Sequence, residues 1–200
     1  ISGRATGLVL GAGAARGFAH LGVYRAMVEA GIPVDWVGGS SIGGIMAAAV
    51  AHDWTPEHAI AVARQAFVEG KPFSDYTFPM VSLLSGSRMT KLLQLHLEGE
   101  LEDLPVPFFC VSSNLSTGAL SIHERGPIWK AARASASLPG VLPPVVHEGQ
   151  LTVDGAVLNS LPVDIMQGKL VGRVIAVDLT TRKAYQIDYD EVPSVWAMIF

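Results

Sequence analysis

The most informative segment of the sequence is Val37-Gly38-Gly39-Ser40-Ser41-Ile42-Gly43-Gly44. An apolar run precedes it, and a run rich in alanine, isoleucine and methionine follows it as far as Val50. This order predicts a strand, a sharp turn at Ser41 and a buried helix. The spacing Gly39-x-Ser41-x-Gly43 is typical of a nucleophile elbow, in which small residues let the backbone fold tightly and the serine hydroxyl projects beside the positive end of the helix. We therefore predict that Ser41 is an attacking nucleophile, the alternative being a glycine-rich turn with a passive serine.

Length and composition favour a single globular domain over residues 1–200. Half of the 200 residues are hydrophobic and 16% are charged, which is typical of a chain with a sizeable core. The net charge of −4 gives no basic excess, so we expect no nucleic-acid partner, whereas contact with a membrane surface stays open. The single cysteine, Cys110, has no partner for an internal disulfide and is interpreted as a core residue.

The two ends of the sequence predict a piece of a longer protein. The chain begins at Ile1 without a methionine and stops at Phe200, in a helix predicted to open over 193–198. We therefore expect a catalytic domain truncated at both ends. Neither a signal-peptide pattern nor an apolar run of about 20 residues is present, which favours the cytoplasm or the cytoplasmic face of a membrane. The sequence leaves the oligomeric state open.

Strand and helix patterns alternate along the chain. Besides the elbow and its helix, strands are predicted over 7–10, 34–37, 106–111, 119–123, 151–153 and 173–178, and helices over 18–29, 56–68, 87–97, 127–134 and 162–167. In the first of these helices, Leu21, Tyr24 and Val28 are predicted to share one face. The alternation predicts an α/β fold, a three-layer α/β/α sandwich with a largely parallel central sheet.

A glycine-rich loop, Gly11-x-Gly13-x-x-x-Gly17, follows the first predicted strand. Its backbone amides and the next helix N-terminus would attract negative charge, either a pyrophosphate or a developing oxyanion. A dinucleotide site needs an acid at the far end of the second strand and a third glycine at position 16. The acid Asp35 lies at the beginning of that strand, and position 16 is Arg16. An oxyanion hole around Gly13 and Ala14 therefore fits better, with Arg16 holding the loop, meeting a phosphate or simply solvated.

A serine nucleophile needs a proton acceptor. The α/β-hydrolase order places a histidine after the acid, but none of the six histidines follows Asp154. His20 and His58 are interpreted as helix-surface residues, and His123 and His147 as solvent-facing ones. Asp154 is the stronger candidate for the base because it ends a short apolar strand and precedes two small residues, Gly155-Ala156; the alternative is an ordinary turn.

Together these three segments resemble the patatin-like phospholipase family. Two connecting segments, Ala134-Ser135-Ala136-Ser137-Leu138-Pro139 and Asn159-Ser160-Leu161-Pro162, are also similar to it. Gly31-Ile32-Pro33-Val34-Asp35, Leu142-Pro143-Pro144 and the run up to Ile175-Ala176-Val177-Asp178 are most similar to its neuropathy-target-esterase branch, which resembles lysophospholipases in activity.

The resemblance implies a Ser–Asp dyad without histidine, with Ser41 as nucleophile and Asp154 as base. It implies an oxyanion hole from the glycine loop, whose residues are Gly11, Ala12, Gly13, Ala14, Arg16 and Gly17. It also implies a phospholipid or lysophospholipid substrate, peripheral membrane contact, and neither cofactor nor metal. The alternative from another class is a catalytically silent lipid-binding module.

Two features depart from the family pattern. Ala12 and Ala14 stand where glycine is commoner, and an alanine is strained wherever the loop needs a positive φ. Asn114 stands where aspartate is frequent. The residues between Phe73 and Leu84 are open to three interpretations: an acyl groove, a membrane contact or ordinary core packing.

Overall fold

The structure, a computed structural model, describes residues 4–180, which contain seven strands and six α-helices. The strands are β1 (Thr6–Leu10), β2 (Trp36–Ser40), β3 (Phe108–Asn114), β4 (Leu120–His123), β5 (Val145–His147), β6 (Gln150–Asp154) and β7 (Arg173–Val177). The helices are α1 (Ala19–Glu29), α2 (Ile42–Ala51), α3 (Pro56–Arg64), α4 (Ser87–His96), α5 (Ile128–Ser135) and α6 (Val163–Gln167). The helix predicted over 193–198 lies outside the described residues.

All seven strands form one mixed sheet, and the predicted α/β fold is confirmed. The strand order is β5-β6-β3-β2-β1-β7, and β4 also pairs with β3. The strands β7, β1, β2 and β3 are mutually parallel, whereas β4, β5 and β6 join antiparallel. Leu10 lies opposite Gly39 in the parallel part. The glycine loop and the elbow therefore leave the sheet at the same edge, beyond the carboxyl ends of neighbouring strands.

The two faces of the sheet are covered unequally. Leu8 and Leu10 of β1 face a large core formed with α1 to α5. Val9, between them, faces a smaller cluster that includes Phe109 and Met166 of α6. This alternation follows from the period of two in a strand. Among residues 4–180 the α/β/α sandwich thus has one thick and one thin helical layer.

Helix α2 forms the centre of the thick layer, and all ten of its residues are buried. Its glycines allow a close approach to the sheet. A β-carbon on Gly43 would lie 2.1 Å from the Leu10 carbonyl oxygen, and one on Gly44 would lie 3.1 Å from the Cys110 β-carbon. The small side chains of the sequence after the elbow are therefore needed for packing as well as for the turn.

Several elements differ from the predictions: strand β5 was not predicted, and β3 extends to Asn114 rather than ending at 111. Val28 is exposed and Met27 occupies the buried face of α1 in its place. The helix that Thr55 caps ends at Arg64 and continues as a π-turn to Glu69. Strand β2 begins at Trp36, because the preceding Asp35 uses its carboxylate to accept the Thr6 amide at 2.7 Å. No helix within residues 4–180 combines the length and the hydropathy needed to cross a bilayer.

Candidate active site

The register of strand β3 brings Ser41 and Asp154 together. Strand β4 pairs with residues 110–113 along one edge of β3, and β2 pairs with residues 108–111 along the other. Strand β6 pairs with residues 112–114, so it continues the β2 edge from the point where the chain turns away at the elbow. The Ser41 hydroxyl consequently donates to Asp154 Oδ2 at 2.6 Å, across 113 residues of sequence.

The elbow holds Ser41 in a conformation that few side chains adopt. Its φ is 57° and its ψ is −129°. The flanking glycines leave no room for a side chain, since a β-carbon on Gly39 would lie 2.5 Å from the Gly43 carbonyl carbon. Only the residue at the apex projects freely, and the strain at this position is of the kind that concentrates at functional sites.

The end of helix α5 contacts both members of the pair. Ser135 Oγ accepts the Ser41 amide at 2.9 Å, and the Ser137 carbonyl accepts the Asp154 amide at 2.9 Å. In the sequence, this segment is similar to the family but carries no motif that predicts these contacts. The repeated small residues in Ala134-Ser135-Ala136-Ser137 were the available signal, because small side chains allow a helix end to approach two turns at once.

Asp154 lies in a nearly dry environment, with 2% of its surface exposed. Its Oδ1 accepts the Ala156 amide at 2.8 Å. Burial raises the pKa of the carboxyl to about 6, and the hydrogen bonds from Ser41 and Ala156 oppose that rise. Gly155 is needed because a β-carbon there would lie 2.3 Å from the Val111 carbonyl oxygen. This carboxylate is a stronger base than one in water.

The predicted oxyanion residues occupy four different environments. The amides of Gly11 and Ala12 donate to the carbonyls of Val177 and Ser160, at 3.1 and 2.8 Å, so they are already engaged. Gly13 and Ala14 open a short 3₁₀-helix (Ala14–Phe18) and line a cavity together with Ser41.

The remaining two loop residues stay outside that cavity. Gly17 packs against helix α2, where a β-carbon would lie 2.2 Å from Ile42, and Arg16 is solvent-exposed. The positive φ of Ala14, 47°, is the strain expected for an alanine in this loop.

Two histidines interpreted as surface residues are buried, and that interpretation is wrong. His20 Nε2 lies 2.7 Å from the Gly11 carbonyl oxygen, and since a carbonyl only accepts, the ring donates. His123 lies 2.7 Å from Ser112 Oγ, and burial together with the neighbouring His147 lowers its pKa to about 4. Both histidines hydrogen-bond to polar groups on another strand or loop. Helical or strand periodicity does not predict such long-range contacts, so it did not predict that the two rings are buried. Within residues 4–180, no histidine hydrogen-bonds to Ser41 or Asp154.

An apolar cavity of about 340 Å³ opens above the serine. Ser41 and Asp154 lie in its wall, and the rest is almost entirely hydrocarbon. Its large side chains are Phe18, Ile42, Ile45, Phe67, Phe73, Met89, Leu138 and Val141. Of the segment from Phe73 to Leu84, only Phe73 lines it. Such a cavity fits an extended apolar group better than a polar one.

Comparison with known proteins decides the family. The model of the patatin-like phospholipase family matches residues 8–166. The chain belongs to the patatin-like phospholipase family. The matched range contains the glycine loop, the elbow and Asp154, and the resemblance inferred from those segments is confirmed.

Two relatives illustrate the similarity. The chain is 46% identical over 180 residues to an NTE family protein of Mycobacterium tuberculosis, a match covering 90% of this chain and 31% of that protein. It is 34% identical over 208 residues to patatin-like phospholipase domain-containing protein 6 of Homo sapiens, covering 100% of this chain and 15% of that protein. The chain thus spans less than a third of the length of these relatives.

A solved structure shows the same patatin-like fold. The crystal structure of VipD from Legionella pneumophila aligns with a TM-score of 0.59 at 15% identity, covering 78% of this chain and 46% of that one.

Proposed function

We propose that this patatin-like domain is a serine acyl hydrolase that cleaves fatty-acyl esters of phospholipids or lysophospholipids. The observation that carries the proposal is the 2.6 Å hydrogen bond from Ser41 to the buried Asp154 in the wall of an apolar cavity. Family membership supports the reaction class, and the printed names of the relatives, NTE family protein and patatin-like phospholipase domain-containing protein, support a lipid ester.

In the first step, Ser41 Oγ attacks the ester carbonyl carbon while Asp154 Oδ2 accepts its proton. The raised pKa of Asp154, about 6, makes this transfer easier than it would be for an exposed carboxylate. The protonated Asp154 then gives the proton to the leaving alcohol, and an acyl-enzyme remains. The same carboxylate then takes a proton from water as the water oxygen attacks this ester, and it passes that proton to Ser41 Oγ as the acyl–oxygen bond breaks and the fatty acid leaves.

The oxyanion of each tetrahedral intermediate needs donors close to Ser41. We assign this role to the amides of Gly13 and Ala14, for which no acceptor is found among residues 4–180. Gly11, Ala12 and Gly17 then act by shaping the loop, because the first two amides are bound to carbonyls and Gly17 packs against Ile42. Backbone amides fixed in this way stabilise developing charge without reorganising.

The cavity suits the acyl chain rather than the headgroup. Its aromatic and aliphatic walls would bury methylene groups, each contributing about 0.8 kcal/mol. Among residues 4–180, Asp154 is the only charged side chain that lines the cavity. Recognition of the ester by its chain, with the headgroup outside, is therefore the expected mode.

Hydrolysis of a p-nitrophenyl acyl ester tests the assignment. Ser41→Ala and Asp154→Asn should each lower kcat/KM by at least about a thousandfold. Matched controls are Ser40→Ala, which removes the adjacent buried hydroxyl that makes no hydrogen bond, and Asp35→Asn, at the opposite end of the parallel strands. Both controls should retain activity. Substantial turnover in either dyad variant would refute the assignment, and an inactive parent chain that still binds lipid would favour a silent lipid-binding module.

A further inference from the structure

An exposed apolar segment lies beside the cavity. Phe78-Pro79-Met80-Val81, here called the apolar tip, contains two large and highly exposed hydrophobic side chains: Phe78 is 82% and Met80 is 84% exposed. None of the four lines the cavity or joins the core clusters. Exposed aromatic and aliphatic side chains grouped in this way are typical of interaction surfaces.

Backbone hydrogen bonds on both sides of the apolar tip form a stem that holds the tip out from the domain. The Thr77 amide donates to the Leu83 carbonyl at 3.0 Å, and the Ser85 amide donates to the Asp75 carbonyl at 2.9 Å. Leu84 is completely buried and its amide donates to Val141 at 3.0 Å. These bonds on both sides of the tip present it as a defined hairpin-like projection.

This hydrogen-bonded stem adjoins the wall of the cavity. Val141, whose carbonyl accepts the Leu84 amide of this stem, lines the cavity. Phe73, at the beginning of the same segment, lines it as well. A surface that covered the apolar tip would therefore lie beside the opening through which an acyl chain reaches Ser41. This continuity points to a surface that contains the substrate.

The segment that carries the apolar tip has a net charge of opposite sign to that of the whole chain. Residues 71–91 contain three cationic side chains, all exposed, and one acid, Asp75, whose Oδ2 accepts hydrogen bonds from Ser85 and Ser87. The cationic side chains are Lys71, Arg88 and Lys91. The net charge of the whole chain is −4. A segment that combines exposed apolar side chains with an excess of exposed cations complements an anionic lipid surface.

We propose that the apolar tip inserts into the interface of an anionic phospholipid membrane and that the flanking cations hold it there. This inference rests on the proposed function, since it explains how a membrane-bound ester reaches the cavity. Phe78 and Met80 enter the boundary between headgroups and acyl chains, and Lys71, Arg88 and Lys91 meet the phosphates.

The test is sedimentation with vesicles of phosphatidylcholine, with and without phosphatidylserine. The 200-residue chain carrying Ser41→Ala is used, so that binding is measured without hydrolysis and stays readable if the dyad assignment fails. Adding Phe78→Ser and Met80→Ser should weaken binding at least about tenfold. The matched control is Leu170→Ser, a residue 70% exposed that lies near the amino ends of β1 and β7, and it should bind like its parent.

Three further measurements distinguish membrane insertion of the apolar tip from a role of the tip in contact with a second copy of the chain. With Ser41 intact, Phe78→Ser/Met80→Ser should hydrolyse the soluble p-nitrophenyl ester at the parental rate and phospholipid vesicles more slowly. Phosphatidylserine should strengthen parental binding, and added salt should weaken it. Vesicle binding that is unchanged in the double variant, or lost equally in Leu170→Ser, would overturn the proposal. So would a parental dimer that the double variant dissociates without any change in vesicle binding, which would assign the tip to a second copy of the chain.

Discussion

The glycine loop and the elbow are two turns with the same structural plan. Each leaves the carboxyl end of a parallel strand, β1 or β2, and opens a helical segment, and each carries one residue with a side chain at positive φ. The residue is Ala14 in the loop, with φ 47°, and Ser41 in the elbow, with φ 57°. Only at Ser41 does the strained backbone position a polar side-chain group, the hydroxyl that donates to Asp154. Ala14 contributes a backbone amide, which glycine would supply equally well.

The two turns also differ in what fixes them. Backbone carbonyls of Ser160 and Val177 hold the loop through its amides. In the elbow, the side-chain hydroxyl of Ser135 accepts the Ser41 amide. The elbow glycines lie against backbone atoms: Gly39 against Gly43, and Gly43 against Leu10. The amides of the loop are therefore held by backbone groups, whereas the elbow amide depends on a particular small side chain. Four substitutions test the two turns and Asp154, the partner of the elbow serine, from the largest expected effect to the smallest.

Gly43→Ala should destabilise the domain by about 3 kcal/mol or more, because its β-carbon would lie 2.1 Å from the Leu10 carbonyl oxygen and backbone cannot yield cheaply. The measurement is urea unfolding followed by circular dichroism. The control is Gly22→Ala in helix α1, where the new methyl group meets nothing within 4 Å and helix propensity improves. Equal stability of the two variants would contradict the close packing of the elbow.

Asp154→Asn should stabilise the fold while abolishing hydrolysis. The pKa of this carboxyl rises from 3.8 to about 6 on folding. Between these pH values the carboxyl ionises more readily in the unfolded state, so the free energy of unfolding of the parent falls as the pH increases. The variant should therefore exceed the parent in free energy of unfolding by up to about 3 kcal/mol above pH 6, and the gap should close below pH 3.8. A gap that is independent of pH would show that Asp154 is not buried as a charge. In the parent, hydrolysis should rise with pH through about 6, because only the ionised carboxylate accepts a proton.

Ser135→Ala should lower kcat about tenfold with little change in KM, because the Ser41 amide loses its acceptor and the nucleophile is less well positioned. The control is Ser137→Ala. The Ser137 hydroxyl contacts Arg133, and its carbonyl, which the substitution keeps, is what accepts the Asp154 amide. Ser137→Ala should cost stability and leave kcat unchanged, and an equal fall in kcat for both variants would mean that α5 acts only through stability.

Ala14→Gly should raise the free energy of unfolding by up to about 1 kcal/mol, because glycine adopts positive φ without strain. The amide stays in place, so ester hydrolysis should be close to that of the parent. A thermal-shift measurement beside the activity assay suffices. Loss of activity would show that the Ala14 methyl group has a role in the cavity that it lines.

The sequence predicted both members of the proposed dyad because each lies where a strand ends at a turn of small residues, and such turns are local patterns. The antiparallel register that joins them, Asp154 beside Ser112, is a long-range property that no local pattern contains. His20 and His123 were misjudged for the same reason, since their burial follows from the Gly11 carbonyl and the Ser112 hydroxyl. The roles of Ala134-Ser135-Ala136-Ser137 likewise depend on where helix α5 ends relative to two distant turns.

Labelling with a fluorophosphonate, followed by mass spectrometry of the intact chain and its peptides, tests most directly whether Ser41 is activated by a carboxylate alone. The account predicts one adduct, on Ser41, with a labelling rate that rises with pH through about 6 and falls at least about a hundredfold in Asp154→Asn. His20→Gln and His123→Gln should still be labelled at Ser41. An adduct on another residue, undiminished labelling of Asp154→Asn, or labelling that disappears with either histidine would contradict it.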